Sequence, residues 1–160
     1  MKSYIKYSIF AIVLTVAIPL ALYIGCLTSI HEKPVFITLL ILLLALLIPA
    51  LFYGAGWIQA TPEYVIMGSP LRKRRIPVSE IESITPFQPT MGAIRLCASG
   101  GFLGYWGLFR EGDIGRYYGY YGRASDCFLL RMKNGDKYVL GCKNPEAMIK
   151  YISAHLTSTK

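Results

Sequence analysis

The sequence predicts a helical hairpin long enough to cross a bilayer twice, followed by a small, mainly-β domain of about seven antiparallel strands closed by a C-terminal helix. Three observations carry this. Two charge-free apolar runs, Ser8 to Ile30 and Val35 to Ile58, fill most of the first 58 residues. Short strand-like segments broken by Gly, Pro and Asn turns follow as far as Cys142. Asn144-Pro145-Glu146 then opens an amphipathic helix.

At about 1.5 Å per residue, each apolar run exceeds the roughly 30 Å of a hydrocarbon core, so spans are expected at about 8–30 and 35–58. Only His31, Glu32, Lys33 and Pro34 lie between them, which forces two antiparallel helices with a tight turn. Pro19 and Pro49 interrupt the runs, as membrane helices tolerate when neighbouring groups bond the freed carbonyls.

Lys2 and Lys6 precede the first run and Arg72, Lys73, Arg74 and Arg75 follow the second, whereas the turn sets Lys33 beside Glu32. Cations concentrate on the cytoplasmic side, so both termini of a two-span cell-membrane protein are expected there. Tyr4, Tyr7, Tyr53 and Trp57 suit anchoring at the same interface. Gly25-Cys26 superficially resembles a lipoprotein cleavage site, but Tyr23 stands where Leu is favoured, and the run is read as retained.

Residues 59–160 form the expected soluble domain, with fourteen Lys and Arg against eight Asp and Glu. A basic domain beside a bilayer has anionic headgroups as its nearest partner, and nucleic acid is not expected. Glu63 to Gly68 reads as a first strand, Gly68-Ser69-Pro70 as its turn and Lys73 to Pro77 as the return. That path brings Arg74 and Arg75 back toward the membrane end, so Arg72, Lys73, Arg74 and Arg75 are candidate headgroup contacts. The same run also reads as a solvated strand that fixes topology.

Val78 to Ile81 looks like a turn, Glu82 to Gln88 like a third strand, and Met91 to Ala98 like a fourth, with Ile94 and Leu96 on one face and Arg95 and Cys97 on the other. Gly115 to Tyr121 suits a fifth, with Tyr118 and Tyr120 opposed in direction to Tyr117 and Tyr121. Asn134-Gly135 marks a two-residue hairpin between Asp126 to Lys133 and Asp136 to Cys142, which sets Leu130 opposite Val139. In the last helix, Met148, Ile149, Ile152 and Leu156 share one stripe, expected to cover the open end of the sheets.

Between the fourth and fifth strands lies the most unusual stretch. Gly100 to Gly122 holds eight aromatics in 23 residues. Its rings Phe102, Tyr105, Trp106 and Phe109 read either as core filling or as contacts with the membrane interface or a partner. Gly101-x-x-Gly104-x-x-Gly107 is not a dinucleotide-binding pattern, and no cofactor is expected. Cys26, Cys97, Cys127 and Cys142 show no C-x-x-C, and no metal site is expected; they read mainly as small hydrophobic residues. Glu80, Glu82, Glu111, Asp113 and Asp126 have no histidine nearby in sequence, and no G-x-S-x-G occurs.

RRIPVSEIESI, GGFLGYWGLF and KYVLGCKNPEAMIKYI together resemble the pleckstrin-homology (PH) fold, and more specifically the bacterial PH-like domains found behind one or two transmembrane helices. The resemblance covers about Trp57 to Leu156. It implies a partly open barrel of two packed sheets closed by the helix and held on the membrane, with no general catalytic activity or shared ligand. Many eukaryotic relatives of the fold bind phosphoinositides through basic residues of the first hairpin, about where Arg72 to Arg75 fall; this chain lacks a clear match to their spaced basic motif. The function expected is a non-catalytic, membrane-anchored binding or scaffold module. The alternative is an accessory subunit of a membrane transporter or enzyme complex, and partners could include another membrane protein or a second copy.

Overall fold

The structure is a computed structural model and describes residues 1–90 and 92–157. Strand β1 (Lys2–Tyr4) leads into helices α1 (Ile9–Thr28) and α2 (Lys33–Tyr53). Nine further strands follow: β2 (Trp57–Ala60), β3 (Tyr64–Gly68), β4 (Lys73–Pro77), β5 (Ile81–Pro86), β6 (Ile94–Gly101), β7 (Gly104–Glu111), β8 (Gly115–Tyr121), β9 (Cys127–Met132) and β10 (Lys137–Gly141). Helix α3 (Pro145–Thr157) ends the described chain.

Each of α1 and α2 is long and apolar enough to cross a membrane. Among their residues only Ala11, Cys26 and Ala50 are buried, so neither helix is the core helix of a soluble fold. The Ser8 hydroxyl caps α1 by accepting from the Ala11 N–H, and Pro34 sits in the first turn of α2. The second helix stops at Tyr53, five residues short of the expected span. Apolar residues alone do not separate a membrane helix from a buried strand, and Trp57–Ala60 is the strand.

The first sheet has the order β1-β2-β3-β4, and the second β5-β9-β10-β8-β7-β6. There is no closed barrel: the two sheets face one another across one core and α3 lies over their open end. Ile58, Val65, Met67 and Ile76 from the first sheet meet Tyr120, Phe128, Leu130 and Leu140 from the second. Met148 and Ile152 of α3 enter the same cluster, with Ile149 and Leu156 packed beside them, as the apolar stripe predicts. A second cluster, including Phe109, Tyr117, Tyr121, Leu129 and Val139, lies on the far face of the second sheet.

Several expectations need correction. Strands β8 and β10 pair in parallel, because β10 inserts between β8 and β9. At the hairpin, Leu130 faces Tyr138 and Val139 faces Leu129. Gly135 takes φ +88°, and the Met132 N–H bonds the Asp136 carbonyl, so Lys133, Asn134 and Gly135 form a three-residue loop that shifts the register by one. In β6 a bulge between Arg95 and Cys97 breaks the expected alternation: Arg95 faces Phe109 and Cys97 faces Leu108, on opposite sides of the sheet. The expected fourth strand begins at Met91, which lies outside the described residues; the strand itself starts at Ile94.

Residues before the first helix belong to the β structure. Lys2, Ser3 and Tyr4 pair with Gln59, Ile58 and Trp57. Beyond them the Ile5 N–H bonds the Gly56 carbonyl and the Ser8 N–H bonds that of Gly122, and on the other side of β1 the Lys143 N–H bonds that of Tyr4. The start of α1, the end of α2 and the amino terminus therefore lie at one end of the helix pair, beside both sheets.

Candidate functional site

Strand alternation sorts the first sheet into two faces. Ser3, Ile58, Ala60, Val65, Met67 and Ile76 point inward and are buried. By register, Lys2, Tyr4, Trp57, Gln59, Ile66, Gly68, Lys73 and Arg75 share the outer face. Trp57 lies flat across Gly68, where a Cβ would come within 2.0 Å of the indole. Lys2 sits 4.5 Å and Lys73 5.9 Å from the same indole, and Lys2 lies 5.1 Å from the Tyr4 ring. Cations are thus held against rings along one edge, each contact worth about 0.5–1 kcal/mol at an exposed site.

This edge is bonded to the helices through the β3–β4 turn. The Leu71 N–H donates to the Leu51 carbonyl at 3.0 Å, satisfying one of the four carbonyls that the end of α2 leaves free. The Leu71 side chain is exposed beside the last turn of that helix, and the Arg72 guanidinium rests 5.2 Å from the Tyr53 ring.

The hairpin runs in the opposite sense to the one expected. Because β2 runs away from α2 and β3 returns, the turn itself is the end nearest the helices, and β4 leads away from it. Arg72 and Lys73 are nearest, whereas Arg74 and Arg75 lie further out. Arg74 turns toward the second sheet while remaining exposed: its guanidinium donates to the Tyr138 hydroxyl at 2.8 Å and lies 5.0 and 5.1 Å from the Tyr118 and Tyr138 rings.

Behind the turn, Ser69, Arg72, Arg74, Tyr118 and Tyr120 line a cavity of about 40 Å³. A water needs roughly 10–15 Å³ of such space, so the cavity suits a few waters and is too small for a phosphate ester headgroup. The Tyr120 hydroxyl behind it donates to the Gly54 carbonyl, accepts from the Gly56 N–H and touches the Ser69 hydroxyl. Burial pushes its pKa up, so it remains a neutral donor.

The four candidate rings are used within the chain. Phe102 and Phe109 are buried, with 7% and 2% of their surface exposed. Trp106 donates from Nε1 to the Phe102 carbonyl at 2.9 Å and stacks on Tyr53 at 5.9 Å, while Tyr105 stacks on Tyr121 and Phe109 on Tyr117. Together they make β6 and β7 a hairpin whose tip reaches the helices. Among the described residues no group of three or more His, Cys, Asp or Glu could hold a metal ion, and all four cysteines are free.

A family model described as Bacterial PH domain matches residues 58–156. The chain belongs to the bacterial PH domain family. Comparison with curated proteins and with solved structures found no match. In this PH domain the matched region begins inside β2 and ends within α3, while β1, which completes the first sheet, comes from residues ahead of the two helices. Lys2 and Tyr4 join the basic hairpin only through that pairing. Three residues are too few to show a strand by alternation, so no sequence signal reports it.

Proposed function

We propose that this PH domain is a membrane-anchored, non-catalytic binding module that reads the anionic headgroups of the leaflet it stands on. The cationic and aromatic edge formed by Lys2, Arg72 and Lys73 with Tyr4, Tyr53 and Trp57 makes the contact. The observation that carries this is the bond from Leu71 to the last turn of α2, which holds Arg72 and Lys73 at the level where the chain leaves the apolar helix. Each cation near an anionic surface is worth on the order of 1 kcal/mol. Both helices cross the membrane in this reading. The β1–β2 pairing keeps the amino terminus beside the domain, and the excess of Lys and Arg at that end makes it cytoplasmic.

The test uses the full chain with Trp106→Phe, so that Trp57 alone reports. Its emission is followed in vesicles containing phosphatidylglycerol or phosphatidylcholine brominated near the headgroup end of the chains. Stronger quenching by the anionic lipid at equal mole fraction is expected, and Arg72→Ala with Lys73→Ala should remove the difference. Equal quenching of the parent by both lipids would discard headgroup reading.

A second reading, in which the helices assemble with a transporter or membrane enzyme and the domain clamps or senses that partner, draws support from the β6–β7 tip. The Leu103 N–H bonds the Thr15 hydroxyl of α1, and its carbonyl accepts from Ala55 just after α2. Helix displacement would therefore reach the domain directly. Purification in mild detergent discriminates the two: a monomer without a co-purifying protein counts against the subunit role.

A further inference from the structure

The far face of the second sheet carries an open groove that the headgroup edge does not use. Tyr105, Tyr121, Phe109 and Tyr117 form a continuous run of ring contacts across it, with centroid separations of 5.1, 6.2 and 5.6 Å in that order. Thr90, in the loop between β5 and β6, is pinned to this face where its N–H and hydroxyl both donate to Glu111 Oε1. Between that loop and the first turn of α1 a cavity of about 480 Å³ stays open, lined by Phe10, Thr90, Arg95, Tyr105, Phe109 and Tyr121 among others. Small-molecule sites span roughly 300–1,000 Å³.

Two features say what such a groove accepts. Phe10 is 58% exposed on the apolar flank of α1, so the ring floor is continuous with the surface that faces hydrocarbon. Arg95 supplies charge. Its guanidinium lies over Gly100, where a Cβ would stand 2.4 Å from Cζ, so a side chain at that position would displace it. The next residue, Gly101, abuts Phe10 and Leu14 of α1, which puts the cation at the helix end of the groove. Glu111 on the same face is held by Thr90 and by the Tyr117 hydroxyl.

We propose that this groove binds one anionic phospholipid of the adjoining leaflet, with an acyl chain along the exposed Phe10 and the partly buried Tyr105, over a floor closed by the buried Phe109 and Tyr121, and the phosphate on Arg95. The inference rests on the reading that α1 crosses the bilayer. The mainly apolar walls favour an acyl chain over a free anion as the occupant, and a charge-assisted bond from Arg95 favours an anionic over a zwitterionic lipid.

The experiment uses the full chain in vesicles doped with a phospholipid carrying a photoactivatable acyl chain, on either an anionic or a zwitterionic headgroup, and maps labelled peptides by mass spectrometry. The anionic probe is expected to label α1, α2 and the segment Tyr105–Tyr121. Arg95→Gln should lower labelling of that segment about tenfold, as loss of a charged hydrogen bond implies, with helix labelling unchanged. Ala93→Trp, which narrows the groove, should lower it for both probes, and Arg72→Ala with Lys73→Ala should leave it intact. Labelled helices with an unlabelled Tyr105–Tyr121 segment, or labelling indifferent to Arg95→Gln, would overturn the groove and leave the membrane reading standing. Unlabelled helices would overturn both. A crosslink between two copies through this segment would assign the groove to a dimer and overturn it.

Discussion

The backbone N–H of Leu103 donates to the hydroxyl of Thr15 at 2.9 Å, across 88 residues of sequence. The Leu103 carbonyl is taken by the Ala55 N–H at 3.0 Å, and Leu103 itself has φ +46°, an uncommon conformation for a side chain of its size. Gly54 sits close enough that a Cβ there would meet Leu103 at 3.0 Å. The tip of the β6–β7 hairpin is thus seated against the helices, with the Leu103 N–H bonded to α1 and its carbonyl to the segment just after α2.

Thr15→Val keeps the shape of the side chain and removes the acceptor. The Leu103 N–H is then left without its partner in an apolar notch, at a cost of about 1–3 kcal/mol. Thermal unfolding of the full chain in detergent should show the loss, with hydrogen exchange at Leu103 rising in step. An unchanged melting temperature would mean that the domain does not depend on this joint.

Gly68→Ala places a methyl group where Trp57 now lies. The indole must lift from the sheet or the strands must shift, either costing about 1–3 kcal/mol. With Trp106→Phe in the background, Trp57 emission should move to longer wavelength and lose its sensitivity to anionic lipid. An unaltered spectrum would show that Trp57 does not lie across this position.

Gly135→Ala isolates backbone conformation, because nothing lies within 4 Å of the Cβ it would add, while φ is +88°. The expected cost is roughly 1–2 kcal/mol from the left-handed region alone. Urea unfolding measures it; a neutral result would contradict the left-handed conformation of Gly135.

Burial raises the hydroxyl pKa of Tyr7, Tyr117, Tyr118, Tyr120 and Tyr121 above the ordinary 10.0, and the thiol pKa of Cys127 and Cys142 above 9.0. A group that holds its proton more tightly in the fold contributes stability that is complete below its unfolded value and is lost as the pH climbs through that value toward the folded one. These residues therefore add no pH dependence between neutrality and about pH 8; stability falls first as the thiols' unfolded value of 9.0 is approached and more steeply as the pH passes the tyrosines' 10.0. Tyrosinate absorbance from this set should appear together with the loss of near-ultraviolet circular dichroism. Ionisation of the whole set near pH 10 with the dichroism intact would contradict their burial.

Much of the fold is legible in particular residues. The charge-free runs on either side of Glu32 and Lys33 report two helices because a hydrocarbon-length stretch without charge has few other uses. Asn144-Pro145-Glu146 and the Met148, Ile149, Ile152 and Leu156 stripe report α3 because capping and a 3.6-residue period are local. Tyr117 to Tyr121 alternate as a strand requires. Less of the candidate site could be read. Arg72 and Lys73 stand out as cations, but their place beside the helix end followed from β2, which is hidden by its apolar continuity with α2. Arg74, one residue on, turns toward Tyr118 and Tyr138 of the second sheet.

What the sequence by itself determined is therefore what depends on neighbours a few residues apart: two apolar helices, most of the strands, the capping helix and the basic run. Tertiary structure alone decided the pairing of Lys2–Tyr4 with Trp57–Ala60, the insertion of β10 between β8 and β9, the seat of Leu103 against Thr15, and the turning of Phe102 and Phe109 into the interior. Each of these joins groups tens of residues apart. Strand pairing is specified by where free N–H and C=O groups meet, and ring burial by which faces close on one another. Neither condition leaves a periodic trace in the residues that satisfy it.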